Sequence, residues 1–193
     1  MPKVLVLGAG VVGLTTAMLL ARDGHEVVVL ERDPEEPPSD AAEAWRAWER
    51  RGVNQFRLLH FFQPRFRQIL DAELPEVRDA LRDAGCLSFN PLEVIPAEIT
   101  GGLRDGDDRF RAITGRRPVV ESVLARSADA TPGLELRRGA PIAGLVTSTS
   151  ASNGTPHVTG VRTKDGETIS ADLVVDVTGR RSPLTRWLAD IGA

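Results

Sequence analysis

Cysteine is nearly absent from this chain of 193 residues, in which Cys86 stands alone. One thiol excludes a disulfide framework and a cysteine metal site, and a buried, idle side chain is the simplest reading of it. Histidine is scarce too: His25, His60 and His157 are scattered at no ligand spacing, which leaves metal chemistry with little support. No apolar run approaches the roughly 20 residues of a membrane span. The N-terminus enters a strand at once with no secretory leader, so a soluble, cytoplasmic protein is expected. A net charge of -3 gives no general pull toward nucleic acid or anionic membrane. No histidine, and no pair of carboxylates, stands at a spacing readable as general acid and base, so no catalytic residue is assigned. What remains is a composition of 41% hydrophobic and 26% charged residues, that of a globular domain with a sizeable core.

The organising stretch is Lys3 to Arg32, KVLVLGAGVVGLTTAMLLARDGHEVVVLER. Val4 to Leu7 form an apolar run that stops at Gly8, as a strand buried on both faces of a parallel sheet does. Gly8, Gly10 and Gly13 give G-x-G-x-x-G. Helix formers follow from Val11 to Arg22 with Gly24 as a stop, and Val27 to Leu30 make a second buried strand ending in Glu31. Gly8 allows the tight turn, Gly10 lets a pyrophosphate approach the backbone, and Gly13 lets the helix pack on the strand. The phosphates would sit on the positive end of the helix beginning near Val11. Glu31 stands where a carboxylate can accept hydrogen bonds from a ribose diol. Strand, turn, helix and acid together point to dinucleotide binding.

Further on, the prolines of DPEEPPSD mark a loop, and Ser39 or Asp40 can cap a helix over about 41 to 50 with Trp45 and Trp48 on one face. GVNQFRLLHFF (52 to 62) reads as irregular and apolar. Two helices follow at about 64 to 73 and 75 to 84, separated by Pro75. Arginines recur from Arg46 to Arg67 with only Glu49 opposing them; without a nucleic-acid motif around them, one facing a pyrophosphate is the economical reading. Residues 90 to 112 read as loop. RRPVVESVLARSADA begins a helix with Pro118 in its first turn and Val119, Val120, Val123 and Leu124 facing in.

Leu134 to Arg137 and Leu173 to Val177 are two more buried strands. Pro141 to Thr149, His157 to Thr163 and Glu167 to Ser170 read as an antiparallel meander with a longer first turn, SASNGT, and an Asp165-Gly166 second turn. Pro183 to Ala189 can form a last helix. The expected fold is therefore α/β: one parallel sheet from the runs at 4–7, 27–30, 134–137 and 173–177, the helix at 11–22 on one face, and the meander at about 141–170 as the crossover on the other.

Three motifs resemble the FAD-binding part of the flavin-dependent monooxygenases, the superfamily of aromatic hydroxylases and epoxidases. They are GAGVVGLTTAMLLARDGHEVVVLER, with Glu31 at the ribose acid; the arginine-proline helix RRPVVESVLARSA, in which Arg117 matches the arginine that reaches the FAD; and ADLVVDVTGRRSPLTRWL, where Thr178-Gly179 stands for the family's Asp-Gly turn. Residues 52 to 85 are similar to the epoxidase-like branch, whose Val-Pro-Gln segment runs close to the flavin. Gln55 matches its glutamine, and Asn54 stands where proline is usual.

The resemblance implies a Rossmann-like FAD/NAD(P)-binding fold over 1–193, with the family's substrate-binding domain absent from these residues. It implies FAD as cofactor, NAD(P)H as reductant, and hydroxylation or epoxidation of a small organic substrate with O2. It adds Arg32, Arg117, Ile142 (through backbone groups, to the adenine) and Gly179 to Gly8, Gly10, Gly13 and Glu31 as cofactor-binding residues. Apolar surface within 53–62 and 86–99 is expected to be exposed and to favour self-association. Two alternatives stay open: an NAD(P)-binding dehydrogenase domain, and a truncated fragment without activity of its own.

Overall fold

The computed structural model describes residues 1–50, 52–148 and 155–193. In chain order its first elements are β1 (Lys3–Leu7), α1 (Val11–Arg22), β2 (Glu26–Leu30), α2 (Ala41–Arg46), β3 (Leu59–Phe62), α3 (Pro64–Glu73), α4 (Pro75–Asp83) and β4 (Leu87–Phe89). Then come α5 (Ala97–Thr100), β5 (Ala112–Arg116), α6 (Arg117–Asp129), β6 (Leu134–Arg137), β7 (Ile142–Ser148), β8 (His157–Thr163), β9 (Thr168–Ser170), β10 (Leu173–Asp176) and α7 (Leu184–Asp190). The chain divides into two compact units, Met1–Glu36 with Leu124–Ala193, and Pro37–Val123.

The first unit contains the expected parallel sheet, in the order β10-β1-β2-β6. Its registers run Val4 beside Leu173 and Val27, and Val27 beside Leu134. Side chains alternate across a strand, and the burial follows. Leu5, Leu7, Val28 and Leu30 point one way and cluster with Val161, Ile169 and Trp187 from the meander and α7. Val4, Val6, Val27 and Val29 point the other way and are 0–2% exposed, on the side where α1 buries Leu14, Ala17 and Met18. The antiparallel meander β7-β8-β9 lies between β6 and β10 in the chain and does not join the parallel sheet. The expected SASNGT turn and the Thr149 end of its first strand fall outside the described residues.

The second unit holds a three-stranded antiparallel sheet, β3-β5-β4, that the sequence does not announce. The stretch read as irregular at 52–62 contains β3. The one read as loop at 90–112 contains short 3-10 turns at Pro91–Glu93 and Asp107–Phe110, the one-turn α5, and at its end the first residue of β5. Helices α3 and α4 fall where expected. Leu74 leaves the helical region (φ -136°) because it precedes Pro75, which then starts α4. Leu70, Leu74, Val77 and Leu81 are 0–3% exposed.

Asp40 caps α2 by accepting from the Glu43 N–H at 2.8 Å, but the helix ends at Arg46 rather than near Arg50. Trp45 and Trp48 therefore do not share one helix face. Trp48 turns inward and meets Phe56 edge-on at 5.2 Å beside Ala44 and Val53. Trp45 meets the guanidinium groups of Arg116 and Arg57, 4.8 and 6.0 Å from its ring centroid. Its flat apolar face suits a weakly hydrated cation better than a leucine core. Among the described residues no helix is long and apolar enough to cross a membrane.

Candidate functional site

In the first unit the carboxyl ends of the parallel strands converge on the glycine motif. Gly8 leaves β1 at φ +104° and donates its N–H to Leu30 O at 2.8 Å, tying the turn to the end of β2. A Cβ on Gly13 would sit 1.9 Å from Gly8 O, so only glycine lets α1 approach the turn this closely. Gly10 differs: a Cβ there would meet nothing within 4 Å. It is the N-cap of α1, no side chain caps the helix, and no carboxylate stands in its first turn. An anion placed there meets the helix's positive end and no carboxylate from the helix's own first turn.

Glu31 is 4% exposed, and its carboxylate is aimed by the backbone. Oε2 accepts from the Ala9 N–H at 2.8 Å and Oε1 from the Asp33 N–H at 3.0 Å. The acid is thereby held against the Gly8–Gly10 turn. Arg32 is mostly exposed, 3.9 Å from Asp33. Glu31 O accepts from the Ala140 N–H at 2.8 Å, which brings the start of β7, with Ile142, beside the same strand end. On the other side of β1, Gly179 has φ +86°. Asp176 shapes this turn: Oδ1 accepts from the Thr178 N–H (2.9 Å) and hydroxyl (2.7 Å), and Oδ2 from the Ser182 hydroxyl. One fold unit thus brings together Gly8, Gly10, Gly13, Glu31, Arg32, Ile142 and Gly179.

Arg117 belongs to the second unit. It begins α6 and donates through Nε to Glu121 Oε1 at 2.6 Å and through Nη1 to Asn54 O at 3.0 Å. His60 Nε2 lies 3.3 Å from Nη1 and can only accept there, because a guanidinium has no acceptor. Glu121 is fully buried, and its other oxygen pairs with Arg50 at 2.6 Å. The arginines of 46–67 are largely engaged inside this unit: Arg50 on Glu121, Arg57 on the Trp45 carbonyl and ring, Arg67 on Asp71 and Asp108; Arg51 lies outside the described residues. Sequence reasoning missed Arg50, His60 and Asp176, whereas Glu121 lies in the arginine-proline helix that carries the resemblance but was given no role of its own. Only the Arg117–Glu121 pair left a signal, its four-residue spacing on a helix.

Comparison with known proteins agrees with this geometry. A family model described as FAD dependent oxidoreductase matches residues 3–82, and one described as tryptophan halogenase matches residues 119–188. The D-amino acid dehydrogenase of Phenylobacterium zucineum is 77% identical over 30 residues, 16% of this chain and 7% of that protein. The kynurenine 3-monooxygenase of Salinispora arenicola is 28% identical over 177 residues, 92% of this chain and 36% of that one. Among solved structures, PqsL of Pseudomonas aeruginosa, described as a probable FAD-dependent monooxygenase, superposes in its complex with 2-aminobenzoylacetate with a TM-score of 0.65 and 24% identity. The alignment covers 100% of this chain and 47% of PqsL. The chain shares the fold of this structure, and it spans about a third to a half of the proteins it follows along its length.

Proposed function

We propose that the chain is the FAD-binding part of a flavin-dependent monooxygenase-like oxidoreductase. The observation that carries this reading is the uncapped, carboxylate-free N-terminus of α1, open at Gly10, with the backbone-aimed carboxylate of Glu31 at the next strand end. The donor set fits a dinucleotide: amides and helix dipole for the pyrophosphate, an acid for the ribose. Gly10 keeps a side chain away from the phosphates, Gly8 makes the turn and Gly13 lets α1 pack close behind it, Glu31 and Arg32 orient the sugar end, and the backbone of Ile142 lines the adenine. Gly179 turns the chain beside the phosphates. Arg117 supplies a positive charge to the flavin half. When bound, FAD supplies the redox chemistry, with NAD(P)H as reductant and O2 as co-substrate for hydroxylation or epoxidation of a small organic molecule.

The reading places the protein in the cytoplasm. It includes self-association through the apolar residues left exposed in the second unit, among them Leu59, Leu87 and Ile99, each two-thirds exposed or more. Calorimetric titration with FAD and with ADP tests the central claim. Glu31→Ala is expected to weaken both by about 1–3 kcal/mol, the worth of a hydrogen bond to a charged group. Undiminished affinity removes Glu31 from the site, and a wild-type chain that binds neither ligand overturns the reading.

A further inference from the structure

We propose that Glu121 is a positioning residue that aims the Arg117 guanidinium at its ligand; this rests on the FAD reading above. Glu121 is completely buried, yet its carboxylate is satisfied at 2.6 Å by two arginines of different character. Arg50 is as buried as the acid it meets, with 4% of its side chain exposed, and by itself neutralises the carboxylate. Arg117 is redundant for that purpose, and 22% of its side chain reaches the surface.

The rest of its fork is also held. Nε is on Glu121, Nη1 is on Asn54 O and beside His60 Nε2, and its backbone N–H donates to Leu58 O at 3.2 Å. Nη2 has no partner among the described residues. A guanidinium is planar, so fixing Nε and Nη1 fixes the direction of Nη2. Nη2 is the donor left to meet a ligand. The ligand chemistry that fits is an electron-rich oxygen or nitrogen. In this reading it belongs to the part of FAD beyond its ADP half, because the ADP half has its own determinants around Glu31.

The experiment compares FAD and ADP affinities, with flavin absorbance, for the wild type, Glu121→Asp, Arg117→Gln and the double variant. Glu121→Asp keeps the charge that balances Arg50 but withdraws the carboxylate by one methylene. It is expected to weaken FAD about tenfold, the scale of one charge-assisted hydrogen bond, with ADP affinity unchanged. The double variant is expected to bind FAD no more weakly than Arg117→Gln alone, because Glu121 acts through that side chain. An unchanged FAD-to-ADP ratio in Glu121→Asp, or losses that multiply in the double variant, overturns the proposal. A wild type that binds ADP and FAD equally well also overturns it while leaving the nucleotide site standing; failure to bind either removes both. If thermal melts show that Glu121→Asp does not fold, Arg117→Lys gives the same readout. A lysine can pair with Glu121 but cannot also reach Asn54 and the ligand, so retained FAD preference in that variant overturns the proposal.

Discussion

Two of the three sheets described in this chain, the parallel sheet of the first unit and the antiparallel sheet of the second, carry apolar strands and bury them very differently. In the parallel sheet of the first unit, Val4 to Leu7 and Val27 to Leu30 are at most 2% exposed. In the antiparallel sheet of the second, Leu59, Phe61 and Leu87 are 69%, 43% and 66% exposed. Register explains why these three lie on one face: Phe61 and Leu87 both pair with Thr114, and Phe61 meets Phe89 edge-on at 6.1 Å. The parallel sheet has α1 against one face and the meander against the other. The antiparallel sheet keeps one apolar face in solvent. Burial is thus a property of the layers around a strand, and hydrophobic content alone does not assign it.

The largest test of that contrast lies in the turn from β1 to α1. Gly13→Ala would put a methyl group 1.9 Å from a backbone carbonyl, which must move, so α1 can no longer seat on the strand. A loss of about 3–5 kcal/mol is expected, at the exceptional end for one substitution, visible as a large fall in melting temperature. Gly10→Ala, three residues away, has no neighbour within 4 Å and a φ of -83° that any residue adopts. It should melt like the wild type and lose ADP and FAD affinity, because only a ligand's phosphates need the space. Equal melting temperatures for the two variants would dissolve the distinction between a packing glycine and a binding glycine.

The same contrast explains what was legible beforehand. Continuous Val/Leu runs ending in glycine or acid, as in β1 and β2, are readable as parallel strands because burial on both faces removes the polar alternation. β6 and β10 pair where expected but are not the buried runs anticipated, since both are edge strands, Glu135 being exposed and Leu173 51% exposed. In the second unit β4 is three residues long, β3 interrupts its apolar run with His60, and β5 reads Ala-Ile-Thr-Gly-Arg. None carries a period long enough to separate from loop. Gly115 in β5 looks like a strand breaker and is in fact a packing requirement, since a Cβ there would fall 2.6 Å from Cys86 Sγ. At the site, the glycines and Glu31 were readable because their spacing within one βαβ unit is itself the signal. Arg50 was not, because its partner Glu121 lies 71 residues away and nothing local foretells a pairing of that range.

Cys86 offers a second, smaller test, within the less covered unit. Its thiol is buried, and burial lifts its pKa from the ordinary 9.0 to about 11, because the thiolate loses its solvation there. Between those two values the unfolded chain releases the proton and the folded chain keeps it. The native state then binds more protons, so stability falls as pH rises through this window and is unaffected by the thiol below it. At about 1.4 kcal/mol per pH unit of difference, the full alkaline loss is about 3 kcal/mol. Urea titrations between pH 8 and 11.5 should show that decline in the wild type and a shallower one in Cys86→Ala. Rapid reaction of the native thiol with a disulfide reagent at pH 8 would contradict its burial.

The smallest expected effect concerns Gln55, and it separates the two units by what occupies their left-handed positions. Among the described residues of the first unit, those with φ between +20° and +160° are glycines, Gly8 and Gly179 among them, whereas the second unit places Gln55 at φ +59°. A side chain in that region costs roughly 1–2 kcal/mol, and glycine gives back part of the difference by loosening the unfolded chain. Gln55→Gly is therefore expected to stabilise the protein by about 0.5–1 kcal/mol in a urea titration. Strain kept in a native sequence points toward use, and Gln55 follows the Asn54 carbonyl that Arg117 holds. If Gln55 serves the ligand, FAD affinity falls in the variant as its stability rises. If stability falls instead, the glutamine side chain holds the 54–60 segment together, and its conformation is explained by the fold of the second unit without any ligand.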